Sequence, residues 1–406
     1  MNLERNHLPT STGRSLEKIS RLLGINLSSY MGRFYGLVLL ILFSFLSQIS
    51  WPDVCTNYCE EHLIRKFMVT LQYILYILLV LTMVGTSLFR PNQFASPHQD
   101  MFVIDSILEL YGARFSDKDI FFAKYLQDAA IAIITLLVLI KHAYDIIASN
   151  SFQLIYYSLR SWYPIVCLLF MDGLFAHYVN DIYLRLRELN KIVIEHTKKE
   201  NLSVSYIDFI TDSNILKKKW NNVLITKLRS IQYIHHRLHV LATKVNTNFG
   251  LQLLIVSAIC LNAIILLLHD IYHHMKAGNA NTKILSFHLV FISCYSLRSL
   301  YISYVCQRSR NEFRQMAIIL HDIFLEQKLL WIEVIHFSLQ LIYQDFTFTA
   351  FELYEINLSL ICSIAGAIVT YLVMVIQLDT TAKFALINNV TTTWNYMEDN
   401  STNVIM

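Results

Sequence analysis

Seven apolar stretches alternate with polar connections along the chain. They lie at about 34–49, 67–89, 129–148, 161–179, 247–268, 284–306 and 359–378. A helix needs about 20 predominantly apolar residues to cross the hydrocarbon core of a bilayer, and most of the stretches reach or approach that length. We therefore predict an all-α membrane protein with seven transmembrane helices.

The pattern between the apolar stretches predicts further helices. Apolar residues recur every three or four positions through 180–246 and 307–350, which is typical of amphipathic helices. The sequence ISRLLGI near the N-terminus is a shorter amphipathic piece, expected at the membrane surface. The predicted segments are 1–33 (N-terminal segment), 34–179 (transmembrane helices one to four), 180–246 (anchor helices), 247–306 (transmembrane helices five and six), 307–350 (a further anchor helix), 351–378 (the seventh transmembrane helix) and 379–406 (tail).

Basic residues predict the orientation of these spans. An odd number of spans places the two termini on opposite sides of the membrane. The N-terminal segment and the connections on its side hold 25 Lys and Arg, against 6 on the other side. The positive-inside rule then makes the N-terminus cytosolic and the C-terminus extracellular. A G-protein-coupled receptor has the reverse orientation, and its DRY and NPxxY motifs are absent from this sequence.

Composition supports the membrane assignment and narrows the function classes. Hydrophobic residues make up 55% of the chain and charged residues 16%, where soluble domains are about a quarter charged. Lipid is therefore an expected partner. A net charge of +3 gives no electrostatic basis for a nucleic-acid partner. With 10 Gly and 5 Pro in the chain, long unbroken helices are favoured over the interrupted helices of many transporters.

No motif predicts catalysis, a cofactor or a metal. The sequence has no nucleophile elbow, Gly-rich phosphate loop or HExxH, and no CxxC among its seven cysteines. Cys55 and Cys59 are read as part of a polar connection, where they are either bonded or free thiols. His235 and His239 share a helix face, but without carboxylates or cysteines nearby they are read as a packed face of the anchor.

The seventh apolar stretch carries a polar stripe. Ser363, Thr370 and Gln377 are seven residues apart and therefore lie on one helical face. Lipid gains nothing from such a face, whereas a partner helix or water can use it. Two alternatives stay open from spacing alone: a helix-packing seam or the lining of a pore.

The same stretch resembles a known family. The sequence TYLVMVIQL at 370–378 resembles the TYhhhhhQF signature that ends insect gustatory receptors, with Leu378 where the family usually has Phe. VNTNFGLQLL at 245–254 resembles the family's N-x-x-F-G entry to the fifth helix. The N-terminal KISRLLGI and the position of Cys306 before an amphipathic helix are also similar, so the likeness extends over the whole chain.

The resemblance implies a fold and a function. Members of this family, which is related to the insect odorant receptors, are tetrameric ligand-gated cation channels with a cytosolic N-terminus. Four copies of the last helix line a central pore, and the cytosolic ends of helices four to seven form an anchor domain. The ligand pocket lies among helices two to six and opens outward. For this chain the resemblance implies a homotetramer, or a heterotetramer with related receptors, in the plasma membrane of a sensory neuron dendrite.

Candidate pore residues follow from the motif. Gln377 and Leu378 are expected at the outer constriction, with Met374 and Thr370 as further lining candidates. For Thr370 the alternative is a hydroxyl that bonds to a carbonyl of its own helix. The helix has no acidic residue, so permeating cations are expected to pass with little selectivity.

Candidate ligand residues lie in the predicted outer halves of helices two to six. Aromatic walls with a few polar groups suit a small organic tastant, and a bitter or plant secondary compound is favoured over a sugar. Each aromatic side chain, taken singly, also fits simple packing, and Lys141 can pair with Asp145. The candidates are Tyr73, Tyr76, Tyr144, Asp145, Trp162, Tyr163, Asn262, Leu266, His269, His288 and Phe291.

Two intramembrane charges have a structural interpretation. Asp172 and Arg298 lie in different spans and have no partner within their own helices. A charge in the membrane is costly unless it is paired or hydrated, so we hypothesise that the two pair across the bundle or that one of them faces a wet cavity. Other function classes that remain are a metabotropic receptor, a small-molecule transporter and, within the family, a sugar or odorant receptor.

Overall fold

Long helices make up almost all of the structure. A computed structural model describes residues 14–25, 30–59, 63–89, 97–113, 125–149, 153–210, 214–276, 282–326 and 331–377. Over these residues the helices are α1 (Arg14–Leu22), α2 (Tyr30–Cys59), α3 (Leu63–Phe89), α4 (Pro97–Leu110), α5 (Gln127–Ser149), α6 (Gln153–Ile210), α7 (Asn214–Lys276), α8 (Thr282–Glu326), α9 (Trp331–Tyr343) and α10 (Leu358–Gln377), and the strands are β1 (Thr349–Ala350) and β2 (Tyr354–Glu355).

Seven of these helices are long and apolar enough to cross a membrane. They are α2, α3, α5, α6, α7, α8 and α10, which confirms the predicted helical architecture with seven spans. Helices α6 and α7 have 58 and 63 residues. At 1.5 Å per residue each is roughly 90 Å long, about three times the thickness of the hydrocarbon core. Both therefore extend well beyond the membrane.

Helix α6 forms the centre of the bundle, and α10 lies at its edge. In the most apolar window of α6, 89% of the residues are buried, whereas in α10 the value is 6%. The Phe175 ring on α6 lies 5.7 Å from the ring of Phe249 on α7 and 5.8 Å from that of Phe348 just before β1. These contacts hold α6, α7 and the chain that leads into α10 together.

Helix α1 packs against α6, and its place at the membrane surface stays a prediction. The Tyr178 hydroxyl donates to the buried Glu17 carboxylate at 2.6 Å, and the Tyr163 hydroxyl donates to the Leu23 carbonyl at 2.9 Å. Leu16 is buried in the same contact. The pattern identified the apolar face of α1 correctly. It could not show whether this face would contact lipid or another helix, because both are apolar.

Several helix boundaries in the structure differ from the predicted ones. Helix α2 continues through Cys59, so Cys55 and Cys59 lie within a helix and not in a connection; their side chains lie outside the described part of the chain. The predicted single helix at 307–350 is instead the end of α8, then α9 and β1.

The last helix begins at Leu358 and not at 351. The side chain of Asn357 caps it: its Oδ1 accepts from the Leu360 amide at 3.2 Å and from the Ser359 hydroxyl at 2.5 Å. Such a cap satisfies amide groups that have no partner within the helix.

A β-hairpin occupies the residues between the anchor and α10. Thr349 pairs with Glu355 and Ala350 with Tyr354 in antiparallel register. The turn places Phe351 and Glu352 in the left-handed region, with φ of 51° and 60°, which is uncommon for residues other than glycine. Because the turn contains no Gly, Asn or Asp, the usual sequence signals of a hairpin are missing.

A buried ion pair joins α4 to α6. Arg185 Nε and Nη2 each donate to one Asp105 carboxylate oxygen at 2.7 Å, and Arg185 Nη1 donates to the Asp181 carbonyl at 2.9 Å. The Arg185 side chain is 1% exposed. Burial raises the pKa of Asp105, and the guanidinium of Arg185 opposes that shift. The paired state therefore depends on both charges being present.

We expect Asp105→Ala to destabilise the protein strongly. Removing one partner leaves the Arg185 charge buried and uncompensated, which costs about 3–5 kcal/mol. Thermal unfolding of the detergent-purified protein, followed by size-exclusion fluorescence, measures the loss. The control is Glu109→Ala, which removes an exposed carboxylate one turn away on α4. Equal melting temperatures for the two variants would contradict the role of the pair.

Candidate functional site

Polar side chains meet in the interior of the bundle, between α3, α6, α7 and α8. We name this set the polar cluster. Membrane helices rarely bury so many polar groups without a structural or functional reason. The members of the polar cluster are Gln72, Tyr76, Asp172, Cys260, Asn262, Tyr295 and Arg298.

One half of the polar cluster is a network of amides and phenols. The Asn262 side-chain amide donates to Gln72 Oε1 at 2.7 Å and to the Met68 carbonyl at 3.1 Å. The Tyr76 hydroxyl lies near Gln72 and Tyr295. The Gln72 Nε2 is buried and has no hydrogen-bond partner among the described residues. This group is therefore a donor that a bound molecule can satisfy.

The other half is an ion pair. Arg298 on α8 donates through Nε to the Asp172 carboxylate on α6, and through Nη1 to the Cys260 sulfur on α7 at 2.7 Å. The two side chains that the sequence analysis hypothesised as partners therefore lie in contact. Both are nearly buried, with exposures of 11% for Arg298 and 8% for Asp172. The pair connects three helices at one point in the bundle.

The hairpin before α10 docks on α7, the helix that also carries Asn262. Asn246 Nδ2 donates to the Thr349 hydroxyl at 3.0 Å, and its Oδ1 accepts from the Thr349 amide at 2.9 Å. At Gly250 a Cβ atom would lie 3.2 Å from the Phe351 nitrogen and 3.4 Å from its Cα. Glycine thus allows the close approach of the hairpin, which gives a physical reason for the N-x-x-F-G sequence.

The second strand of the hairpin also reaches the polar cluster. Tyr354 is partly buried against the core and lies near Ser257 on α7, within electrostatic range of Arg298 and Cys260. Tyr354 is three residues before Asn357, the cap of α10. The hairpin therefore lies between the polar cluster and the start of α10.

The structure brings only some of the predicted ligand residues together. Tyr76 and Asn262 belong to the polar cluster. Closer to the predicted outer rim, the ring centroids of Tyr144 and Phe287 are 6.0 Å apart, and those of His288 and His274 are 6.1 Å apart. Leu266 and Phe291 are half-buried, and His269 is almost fully buried. The side chain of Asp145 lies outside the described part of the chain.

Two predicted ligand residues, Tyr73 and Tyr163, contact other parts of the bundle. The Tyr73 hydroxyl donates to the Ser47 carbonyl at 3.2 Å, and the Arg160 guanidinium lies 4.5 Å above its ring. Tyr163 contacts the Leu23 carbonyl and the Phe43 ring. Trp162 is half-buried nearby on α6, the same helix as Tyr163. The sequence analysis placed these residues in the correct helices. Helical periodicity does not show which neighbouring element each side chain contacts.

The sequence analysis missed members of the polar cluster that the residue spacing along α8 would have revealed. His288, Phe291, Tyr295 and Arg298 follow each other at spacings of three and four residues and so share one face of α8. Extending the predicted His288 and Phe291 face by two turns leads to Tyr295 and to the ion pair. Cys260 and Tyr354 gave no comparable signal, because a cysteine in an apolar helix reads as a small hydrophobe.

The described residues leave the polar stripe of α10 exposed. Ser363, Thr370 and Gln377 are all exposed. The Thr370 hydroxyl donates to the Gly366 carbonyl of its own helix at 2.9 Å, which is the alternative raised for that residue. Met374 is 51% exposed. Leu378 lies outside the described residues.

The histidines of the anchor have an aromatic environment. His235 lies between the rings of Phe313 and Phe337, at 5.5 and 5.9 Å, and His239 lies 5.7 Å from Phe346. These side chains pack α7 against α8, α9 and the segment before the hairpin.

Seven helices are long and apolar enough to cross a membrane, and four of them enclose the polar cluster. These features define a multi-pass helical membrane protein. Residues 20–381 match the family model described as 7tm chemosensory receptor. The chain belongs to this family of chemosensory receptors, and the resemblance to insect gustatory receptors is confirmed.

Individual relatives agree with the family. Over 163 residues the chain is 26% identical to gustatory receptor 23a of Drosophila melanogaster, a match that covers 40% of this chain and 44% of the relative. The matched part is thus less than half of that relative. The fold is similar to that of the olfactory receptor OR5 of Machilis hrabei, with a TM-score of 0.60, 12% identity, and coverage of 91% of this chain and 100% of the other. The OR5 complex with eugenol gives a TM-score of 0.63 at 11% identity, with coverage of 91% and 99%.

We expect charge reversal at the ion pair to be rescued by reversing both residues. Asp172→Arg or Arg298→Asp leaves two like charges in contact inside the bundle, which abolishes folding or surface delivery. The double variant restores an attractive pair, although it loses the contact with Cys260. Surface labelling of the tagged protein in transfected cells measures the rescue. Failure of the double variant to recover at least part of the surface signal would contradict the pairing.

Proposed function

We propose that this protein is a ligand-gated, nonselective cation channel that opens on binding a small-molecule tastant. The observation that carries the proposal is the exposed polar stripe of α10. In a membrane-spanning helix these hydroxyl and amide groups need water or another helix as a partner. The Ser363 and Thr370 hydroxyls bond to carbonyls of their own helix, but the described residues leave this polar face exposed, so copies of α10 around an aqueous pore are a better environment for it than lipid.

Helix α10 also carries small residues of the kind that an assembly of packed copies requires. Ala365, Gly366 and Ala367 are small and exposed, and a Cβ added at Gly366 would meet nothing within 4 Å. Small residues let helices approach closely in a membrane. We propose a tetramer, formed by this chain alone or with related receptors, in which rings of Gln377 and Leu378 form the constriction, with Met374 and Thr370 lining the pore below. Amide and aliphatic rings without acidic groups suit weak selectivity among cations.

The polar cluster is the proposed ligand site. Tyr76 and Tyr295 supply aromatic surface, and Gln72 and Asn262 supply hydrogen bonds. Because Asp172 neutralises Arg298, an uncharged ligand fits this environment better than a charged one. OR5 is known in complex with eugenol, and a small plant phenol of that kind matches these groups. We therefore favour a bitter or plant secondary compound over a sugar.

The proposed mechanism runs through α7. A ligand that inserts between Asn262 and Gln72 changes the contacts of α7 with α3. Helix α7 holds the hairpin through Asn246 and Gly250, and the hairpin leads directly into α10. A shift of α7 is thereby transmitted to the start of the pore helix. We place the protein in the plasma membrane of a sensory neuron dendrite, with its N-terminus in the cytosol and its tail outside.

Expression of the chain alone in oocytes tests the proposal. We expect a panel of plant compounds to evoke a nonselective cation current without an added G protein. Gln377→Ala should change unitary conductance or basal leak by about twofold or more with little effect on potency. Asn262→Leu should raise the half-maximal concentration by about tenfold with unchanged conductance, because it removes hydrogen bonds at the ligand site.

Other outcomes assign other functions. Saturable uptake without unitary currents indicates a transporter, and a response that requires a G protein indicates a metabotropic receptor. Responses restricted to sugars or to volatile compounds indicate a sugar or odorant receptor with the same channel mechanism. If Gln377→Ala and Leu378→Phe both leave the current unchanged, the stripe of α10 is a packing seam.

We expect Asn246→Ala to weaken the coupling between ligand and pore. The substitution removes two hydrogen bonds to Thr349, each worth about 1 kcal/mol, so the open population at saturating ligand should fall about fivefold or more. Maximal current per surface receptor measures this effect. Thr247→Ala, which truncates the exposed neighbouring side chain, is the control, and an equal loss in both variants would argue against coupling through the hairpin.

A further inference from the structure

Two histidines lie in contact at the end of α7 that is predicted to face outside. The Nε2 atoms of His269 and His273 are 3.2 Å apart, and their ring centroids are 4.4 Å apart. Residues four apart in a helix share a face, and this spacing places two imidazoles of a zinc-binding HExxH helix on one metal ion. The pair plays no part in the polar cluster or in the proposed pore.

The distance between the two nitrogens matches that of a shared metal ligand pair. A zinc ion binds imidazole nitrogen at about 2.0–2.1 Å with tetrahedral angles, which separates two ligand nitrogens by about 3.3 Å. The observed separation of 3.2 Å is close to this value, whereas the ring centroids are only 4.4 Å apart, so both rings must rotate to direct their Nε2 lone pairs at one ion. Without a metal, one Nε2 carries a proton and donates to the other.

A carboxylate lies beside the pair and orients one of its rings. The Asp270 Oδ1 lies 3.7 Å from His269 Nδ1, and the same carboxylate is held by Arg65 at 3.2 Å. A carboxylate near the distal nitrogen favours a proton on Nδ1 and so directs the lone pair of Nε2 toward the metal. The His269 side chain is 2% exposed, and its Nδ1 has no hydrogen-bond partner among the described residues.

The pair is also accessible from the predicted outer side. His273 is half-buried and lies one turn nearer the helix end than His269. Asn262, Leu266, His269 and His273 follow at spacings of four, three and four residues, so the pair continues the face of α7 that carries Asn262 into the polar cluster. An ion at this position lies at the outer end of that face.

We propose that His269 and His273 form a binding site for a divalent transition-metal ion of the zinc and copper type. Imidazole prefers such ions to Ca²⁺ or Mg²⁺. Across the described residues no group of three or more His, Cys, Asp or Glu side chains is arranged to hold a metal, so water completes the coordination. On binding, the ring that donated its Nε2 proton adopts the Nδ1-protonated form, and both Nε2 lone pairs bind the ion.

Zinc binding to the purified full-length protein tests the site without any channel measurement. We expect one Zn²⁺ per chain, measured by competition with a fluorescent zinc chelator, and no displacement by excess Ca²⁺. His273→Ala should weaken binding by at least about tenfold, while His273→Cys, which keeps a metal ligand, should retain it. His274→Ala is the matched control, because it removes a neighbouring histidine outside this pair and should leave the affinity unchanged.

The result can be interpreted independently of the proposed channel. Size-exclusion profiles identify any variant that fails to fold, and His273→Cys then serves as the folded comparison. Zinc binding that is absent from the wild-type protein, unaffected by His273→Ala, or lost equally in His274→Ala would overturn the site. Loss of ligand-evoked current, by contrast, concerns only the function proposed above.

Discussion

A charged pair in the interior of a membrane bundle constrains the arrangement of the helices around it. The Arg298–Asp172 pair links α8 to α6, and the bond from Arg298 to Cys260 adds α7. Apolar side chains hold membrane helices together without strong directional preference, since lipid is as apolar as the helices themselves. A buried charge pair is different, because each partner is stable only when the other is in contact. It therefore sets the relative rotation of the three helices, and with it the positions of Tyr295, Asn262 and Tyr354.

Helix α7 connects the proposed ligand site to the proposed gate. Asn262 lies toward the C-terminal end of α7, and Asn246 and Gly250, near its middle, hold the hairpin. The hairpin keeps Phe351 and Glu352 in a backbone conformation that costs about 1–2 kcal/mol per residue. That conformation is maintained by burial of Phe348, Ala350 and Ile356 around it. The proposed coupling of α7 to α10 depends on this closely held connection.

Helix α10 contrasts with the rest of the bundle in what surrounds it. Most residues in the apolar part of α6 are buried against the rest of the protein. Helix α10 instead exposes hydroxyl groups, small residues and an amide. Lipid is a poor environment for such a polar face. The proposed assembly of copies would place this face against water and neighbouring helices.

The amino-acid sequence alone determined the class of protein, the seven spans, the stripe of α10 and the family, because these depend on apolar length, helical spacing and local motifs. It also indicated that Asp172 and Arg298 need partners, because a lone charge in a membrane is costly. Only the tertiary structure decided which faces meet. Tyr76 and Asn262 join one cluster while Tyr73 and Tyr163 turn toward α2 and α1, since periodicity defines the faces of a helix but not its neighbours. The hairpin without glycine, the docking of α1 on α6 and the contact of His269 with His273 likewise depend on packing and on side-chain geometry.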